Sequence, residues 1–250
     1  MTGSREWSED GGVRRETLLV QTGAREVCEL YTLLTPQRSI ARPPAERILR
    51  IVKPTLFVVC LLPFVLLILQ SLDGSIGPNP VQAITHATGD WALRMLLITL
   101  AVTPLRRVTG WAWLIRLRRM LGLFAFFYAA LHFCTYLWLD QFFDWAAIVE
   151  DIAKRPYITV GFAALVLMTP LAVTSTKAWL RRLGPRWKRL HQLVYPIAIL
   201  GVLHYLWLVK ADLLEPGIYA AILTALLLVR VPFGRLRERV TGWRGFAATS

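Results

Sequence analysis

Residues 190–207 of this chain read LHQLVYPIAILGVLHYLW, and nearly all of them are apolar. Histidines lie near both ends of this stretch, and His191 and His204 are thirteen residues apart, or about 20 Å along an α-helix. Ionisable side chains inside a membrane are costly and are usually functional. The stretch therefore predicts a membrane-spanning helix that carries two functional imidazoles at different depths.

Five more apolar segments accompany this one, and 55% of the 250 residues are hydrophobic. A membrane-spanning helix requires about 20 residues. The six segments run approximately over 54–71, 91–105, 120–139, 157–175, 191–209 and 216–232. We predict an all-α integral membrane protein whose six-helix, haem-binding transmembrane bundle occupies residues 51–232. The polar extension 1–50 is expected to be disordered or weakly helical, and residues 233–250 form a basic cytoplasmic tail.

The net charge of +13 is concentrated in alternate connections between the segments. Residues 106–119 contain five basic side chains, residues 176–190 contain six and residues 230–250 contain five, whereas residues 72–90 contain none. Lys and Arg are enriched in the cytoplasmic loops of membrane proteins. The pattern places both termini in the cytoplasm. It indicates topology and contact with the lipid bilayer rather than a nucleic-acid site.

Three histidines are the candidate ligands for a redox cofactor. The predicted topology runs the third and fifth segments in the same direction, so His132 and His204 lie at similar depth towards the outer side. Two neutral imidazoles facing each other across a helix bundle are a suitable axial pair for haem iron. Gly122 and Gly201 lie nearby and allow helices to approach closely. The chain has no CxxCH motif, so a haem here would be a non-covalent haem b.

His191 has no histidine opposite it. The equivalent position, fourteen residues before His132, is Arg118, which shares a helix face with His132. A guanidinium is a poor iron ligand because its pKa exceeds about 12. Three interpretations of Arg118 therefore stay open: an unusual ligand, a partner of a haem propionate, or a topological charge. On an ideal helix His191 and His204 point about 140° apart, and Pro196 between them can change the winding.

The remaining polar candidates carry weaker signals. His86, in the sequence PNPVQAITHATGD, is interpreted as a polar residue of an outer loop, with a role near a quinone or partner site as the alternative. Cys60 and Cys134 are interpreted as small packing residues.

Several motifs resemble the MsrQ family, whose members are haem-binding membrane subunits of a periplasmic protein-methionine-sulfoxide reductase system and have a ferric-reductase-like transmembrane domain. They are RRMLGLFAFFYAALHFCTY, the ordered run from KRPY through TSTKAW to RWKRLHQLVY, and LHYLWLVK. The resemblance covers about residues 50–232. It implies that His132, His191 and His204 are haem ligands, and Arg118 falls where related ferric reductases have a fourth histidine.

The resemblance also implies a function in the bacterial inner membrane. One or two haems b would pass electrons from the quinone pool, either directly or through FMN, to a periplasmic molybdopterin reductase that repairs methionine sulfoxide. Eighteen residues follow position 232, so we expect electrons to enter from quinol or from a separate cytosolic flavin reductase. Two alternatives stay open: a cytochrome b subunit of another dehydrogenase or metal reductase, and a haem-free proton-coupled transporter.

Overall fold

A computed structural model of the protein describes residues 44–209 and 213–230. The predictions for residues 1–43 and for the tail 233–250 lie outside the described residues.

The described residues form α-helices joined by short connections, and no strand occurs among them. The helices are α1 Pro44–Leu72, α2 Pro80–Thr109, α3 Arg118–Thr135, α4 Trp145–Lys154, α5 Pro156–Val173, α6 Lys177–Leu183, α7 Pro185–Leu190, α8 Val194–Leu208 and α9 Leu214–Leu228. Short 3₁₀ turns at Ala112–Arg116 and His191–Leu193 precede α3 and α8, and a π-helical turn, Tyr136–Asp140, follows α3. The first helix begins at Pro44, within the predicted polar extension.

Four helical segments are long and apolar enough to cross a membrane. They are Glu46–Leu72, Ala112–Asp140, Pro156–Val173 and Pro185–Leu208, and they correspond to the first, third, fourth and fifth predicted segments. Helix α2 contains four charged side chains, and α9 has 15 residues, fewer than the usual minimum of about 17 for a span. Six spans and the side of each terminus therefore stay predictions.

Helix α2 is twice as long as its apolar segment because both of its ends are capped outside that segment. At its start the Asn79 side chain accepts a hydrogen bond from the Gln82 backbone N–H, and Pro80 occupies the first helical position. At its end Gly110 adopts a left-handed conformation, with φ of 71°, and donates to the Arg106 carbonyl. The prediction that His86 lies in a loop is wrong, since these caps place it in the second turn of α2.

The core lies where α2, α3 and α8 meet, and α2 packs along α3 while α5 packs along α8. Leu100, Ala125, Tyr128 and Ile197 are almost completely buried there. The Tyr128 hydroxyl donates a 2.7 Å hydrogen bond to the Cys60 carbonyl and so ties α3 to α1. Cys60 is buried, as expected for a packing residue, whereas Cys134 is exposed on α3.

The fifth predicted segment is not one regular helix. In a regular α-helix the Pro196 ring clashes with the Gln192 carbonyl and has no N–H to donate to it. The backbone tightens into the 3₁₀ turn His191–Leu193 just before it. A 3₁₀ helix advances about 120° per residue instead of about 100°. Three such residues reduce the angle between His191 and His204 from about 140° to about 80°.

Candidate haem site

His132 lies on α3 and its ring rests against the backbone of α2. The ring Nδ1 is 2.9 Å from the carbonyl oxygen of Thr85. Because a carbonyl only accepts hydrogen bonds, Nδ1 carries the proton and Nε2 carries the lone pair. A Cβ at Gly89 would lie 3.1 Å from the Nδ1 and Cε1 atoms of this ring. The absence of a side chain at Gly89 thus allows the imidazole to lie directly on α2.

His204 lies on α8 and makes the same contacts with α5. Its Nδ1 is 2.7 Å from the carbonyl oxygen of Tyr157, so Nε2 is again the nitrogen with a lone pair. A Cβ at Gly161 would lie 2.7 Å from Nδ1 and 2.9 Å from Cε1. No ordinary side chain fits at this position while the ring keeps its place.

The carbonyl and glycine that contact each histidine ring, together with the histidine, form an internal repeat. In each copy, the residue whose backbone carbonyl accepts the histidine hydrogen bond is followed four positions later by glycine. The histidine itself comes 47 positions after that residue. Thr85, Gly89 and His132 in the first copy correspond to Tyr157, Gly161 and His204 in the second. The offset is 72 residues for each pair. This repeat is visible in the sequence, but Gly89 and Gly161 were not among the residues predicted from it.

The rings of His132 and His204 lie next to each other, with their centroids 6.2 Å apart and their planes inclined by 74°. Imidazole–metal bonds are about 2.0 Å long, and the ring centre lies about 1.1 Å from its nitrogen, so two axial imidazoles on one metal have centroids about 6.2 Å apart. The observed separation therefore matches a pair of axial ligands.

A cavity of about 300 Å³ opens beside the two rings, between α2, α3, α5 and α8. Most of its lining is apolar, including Leu93, Leu96, Phe162 and Met168. Such volumes and linings are typical of cofactor sites. The chemistry of the donors also fits haem b, since two neutral imidazoles in an apolar cleft are common axial ligands.

One cation lies at the polar end of this cavity, in the connection between α4 and α5. Arg155 Nη1 donates to the Tyr157 hydroxyl over 3.4 Å, and Arg155 Nε lies 3.0 Å from an Asp151 carboxylate oxygen. The hydrogen bond to Tyr157, together with the charge of Asp151, raises the pKa of Arg155. Its guanidinium therefore stays charged beside the cavity. His86 and Asp140 also line this cavity, and His86 is exposed.

His191 lies apart from this cavity, in the 3₁₀ turn before α8. Its Nδ1 is 3.1 Å from the Trp187 carbonyl oxygen, and the Trp187 ring stacks on the imidazole with centroids 3.8 Å apart. Its Nε2 is buried and has no hydrogen-bond partner, although the Leu171 carbonyl lies nearby. An orphaned nitrogen of this kind is suitable for binding a metal.

Arg118 is the first residue of α3, and its side chain is half-buried. It lies close enough to His191 and Arg230 for its charge to influence both, and a binding role for it stays a prediction. Gly122 and Gly201 do not lie at unusually close helix contacts. Added Cβ atoms there would make only ordinary contacts of 3.7 Å with Thr99 and 3.6 Å with Leu93.

Comparison with known proteins identifies the family. The model of the ferric reductase like transmembrane component matches residues 88–202. A protein-methionine-sulfoxide reductase heme-binding subunit MsrQ from Herminiimonas arsenicoxydans is 56% identical over 191 residues, covering 75% of this chain and 88% of that protein. The chain belongs to the MsrQ family. The MsrQ of Rhodospirillum rubrum is also 56% identical over 191 residues, covering 76% of this chain and 92% of that protein.

A third MsrQ, from Xanthomonas campestris pv. campestris, is 59% identical over 172 residues, covering 69% of this chain and 78% of that protein. No solved structure has a significant match to the chain. The predicted resemblance to the MsrQ family is confirmed. Its ferric-reductase-like domain and apolar helices make the chain a multi-pass membrane protein.

Proposed function

We propose that this MsrQ-family chain is a membrane cytochrome b subunit that passes electrons to a periplasmic reductase of methionine sulfoxide. The observation that carries the proposal is the His132–His204 pair, in which both Nδ1 atoms are held by carbonyls and the rings lie 6.2 Å apart. Haem b bound between them would supply a one-electron carrier.

The residues around the pair have separate tasks in this proposal. The carbonyls of Thr85 and Tyr157 fix the tautomer and orientation of each ring and increase the basicity of its ligating nitrogen. Gly89 and Gly161 allow each ring to reach its carbonyl. The apolar walls exclude water, and Arg155 at the polar end is placed to neutralise a propionate.

The orientation follows from the charge pattern. The basic connections 106–119 and 176–190 lie in the cytoplasm under the positive-inside rule. The His132–His204 pair then lies towards the periplasm, and His191 and Arg118 lie towards the cytoplasm. A second haem b at His191 would connect the two sides of a bacterial inner membrane. Electrons enter from quinol, or through FMN from a cytosolic flavin reductase, and leave to a molybdopterin-containing partner.

The haem proposal is tested by the reduced-minus-oxidised spectrum of the purified protein and by its haem content. Wild type should show a b-type spectrum, and His132→Ala or His204→Ala should lose the haem of this pair. His86→Ala is the matched control, because His86 lines the same cavity but is exposed and lies outside the pair. A wild type without any haem spectrum would contradict the proposal and favour a proton-coupled transporter.

The electron-transfer proposal requires a second measurement. Haem in membrane vesicles should be reduced by a quinol and reoxidised by the molybdopterin partner with methionine sulfoxide present. Co-purification of that partner with the chain should support the assignment. Haem that is reduced normally but transfers electrons only to another dehydrogenase or to metal ions would favour the alternative cytochrome b functions.

A further inference from the structure

Four buried side-chain polar atoms lack a hydrogen-bond partner among the residues that the structure describes. They are Thr103 Oγ1, His191 Nε2, and Nε and Nη1 of Arg230. Buried polar groups in folded proteins are nearly always paired, and each exception calls for an explanation. Three of these four atoms belong to two residues, His191 and Arg230.

These atoms belong to one region of the fold. Arg230 follows α9, and its Nη2 donates to the Leu100 carbonyl on α2, three residues before Thr103. The Arg230 guanidinium also lies 5.1 Å from the centre of the Tyr195 ring. Tyr195 is the second residue of α8 and lies four residues after His191 on the same segment. Arg230 therefore joins α2 to the His191 end of α8.

The charges of this region are not balanced by the described residues. The ion pairs within 44–209 and 213–230 are Arg94–Asp90, Lys154–Glu150 and Arg155–Asp151. None of them includes Arg230 or Arg118, and these two cations repel each other. A buried cation is strongly unfavourable unless an anion and hydrogen-bond acceptors compensate it. Arg230 is partly buried and interacts with the Tyr195 side chain, but its buried Nε and Nη1 atoms have no acceptor among the described residues.

We propose that Arg230, with Arg118 beside it, binds an oxyanion carried by a cofactor that His191 also contacts. The oxyanion is a carboxylate or a phosphate, the two groups that a guanidinium binds best. A carboxylate would come from a haem propionate and a phosphate would come from FMN. This inference rests on the proposed electron-transfer function, and it gives Arg230 a binding role beyond its predicted role as a topological charge.

The test is the haem and flavin content of the purified full-length protein carrying Arg230→Met, which keeps the length of the side chain but removes the cation. Arg119→Met is the matched control, since Arg119 is exposed and adjacent to Arg118. Thermal unfolding, measured alongside, reports on folding. Arg230→Lys, which retains the charge, is expected to keep part of the cofactor that Arg230→Met loses.

If Arg230→Met loses about one haem per chain and keeps the His132–His204 haem, the oxyanion is a haem carboxylate. His191→Ala is expected to give the same loss. Loss of FMN with unchanged haem identifies the phosphate. Unchanged haem and flavin in Arg230→Met, with equal or higher thermal stability, would overturn the inference. A wild type that holds only the His132–His204 haem and no flavin would also overturn it. Absence of every haem in wild type would instead contradict the proposed function.

Discussion

Substituting alanine for Gly161 tests whether backbone packing sets the position of the His204 ring. The added Cβ would lie 2.7 Å from Nδ1, 2.9 Å from Cε1 and 3.1 Å from Cγ of His204. Ordinary contact begins at about 3.4 Å, so the ring must retreat by about 0.7 Å. The hydrogen bond from Nδ1 to the Tyr157 carbonyl would stretch from 2.7 Å to about 3.4 Å, beyond the usual limit of about 3.2 Å.

The expected effect is on haem binding rather than on folding. Loss of a hydrogen bond that orients a metal-binding histidine typically costs about 10–100-fold in metal affinity. The helix itself favours the change, because alanine is better than glycine in a helix interior by about 1 kcal/mol. Gly161→Ala should therefore give a folded protein with lower haem occupancy, a shifted midpoint potential, or both.

The matched variants give a graded series. At Gly89 the added Cβ would lie 3.1 Å from the His132 ring, and a retreat of about 0.3 Å stretches the 2.9 Å bond to the Thr85 carbonyl only to about 3.2 Å. Gly89→Ala should have a smaller effect than Gly161→Ala. Gly122→Ala, with its nearest contact at 3.7 Å, should have none. Equal haem content and midpoint potential in wild type and Gly161→Ala would refute the reasoning.

Three further predictions concern other parts of the molecule. Arg118→Ala should remove the second haem or lower its occupancy while the His132–His204 spectrum remains, and an unchanged haem-to-protein ratio would leave Arg118 as a topological charge. Tyr128→Phe should lose the 2.7 Å bond to the Cys60 carbonyl and destabilise the protein by about 1 kcal/mol, seen as a lower melting temperature with haem retained. In a cysteine-free background, Ser75→Cys should react with a membrane-impermeant maleimide in intact spheroplasts, whereas Arg182→Cys should react only after lysis. The reverse result would contradict the placement of the basic connections in the cytoplasm.

The sequence predicts the position of the histidine pair well because depth in a membrane depends only on span boundaries and direction. His132 and His204, matched in depth by that argument, do lie next to each other, with ring centroids 6.2 Å apart. The irregular winding after His191 was also anticipated from Pro196. The structure shows that it consists of a 3₁₀ turn at His191–Leu193.

Other features depend on which helix faces meet, and a single sequence does not give this. The glycines that matter are Gly89 and Gly161 rather than Gly122 and Gly201, because α2 and α5 supply the carbonyls behind the rings. The repeat offset of 72 residues could have indicated them. In the sequence, Arg230 belongs to a run of basic residues that the membrane topology already explains. Its contact with the Leu100 carbonyl and its unpaired N–H donors, which indicate a binding role, are visible only in the structure.

The low-temperature electron paramagnetic resonance spectrum of the oxidised protein tests the central claim most directly, because it reports the axial ligands of ferric haem. Two imidazoles on one iron give a low-spin signal, whereas a single imidazole usually leaves the iron high-spin. We expect a low-spin signal in wild type and in His86→Ala, and its loss in both His132→Ala and His204→Ala. A high-spin wild type, or a low-spin signal that survives either substitution in full, would contradict it.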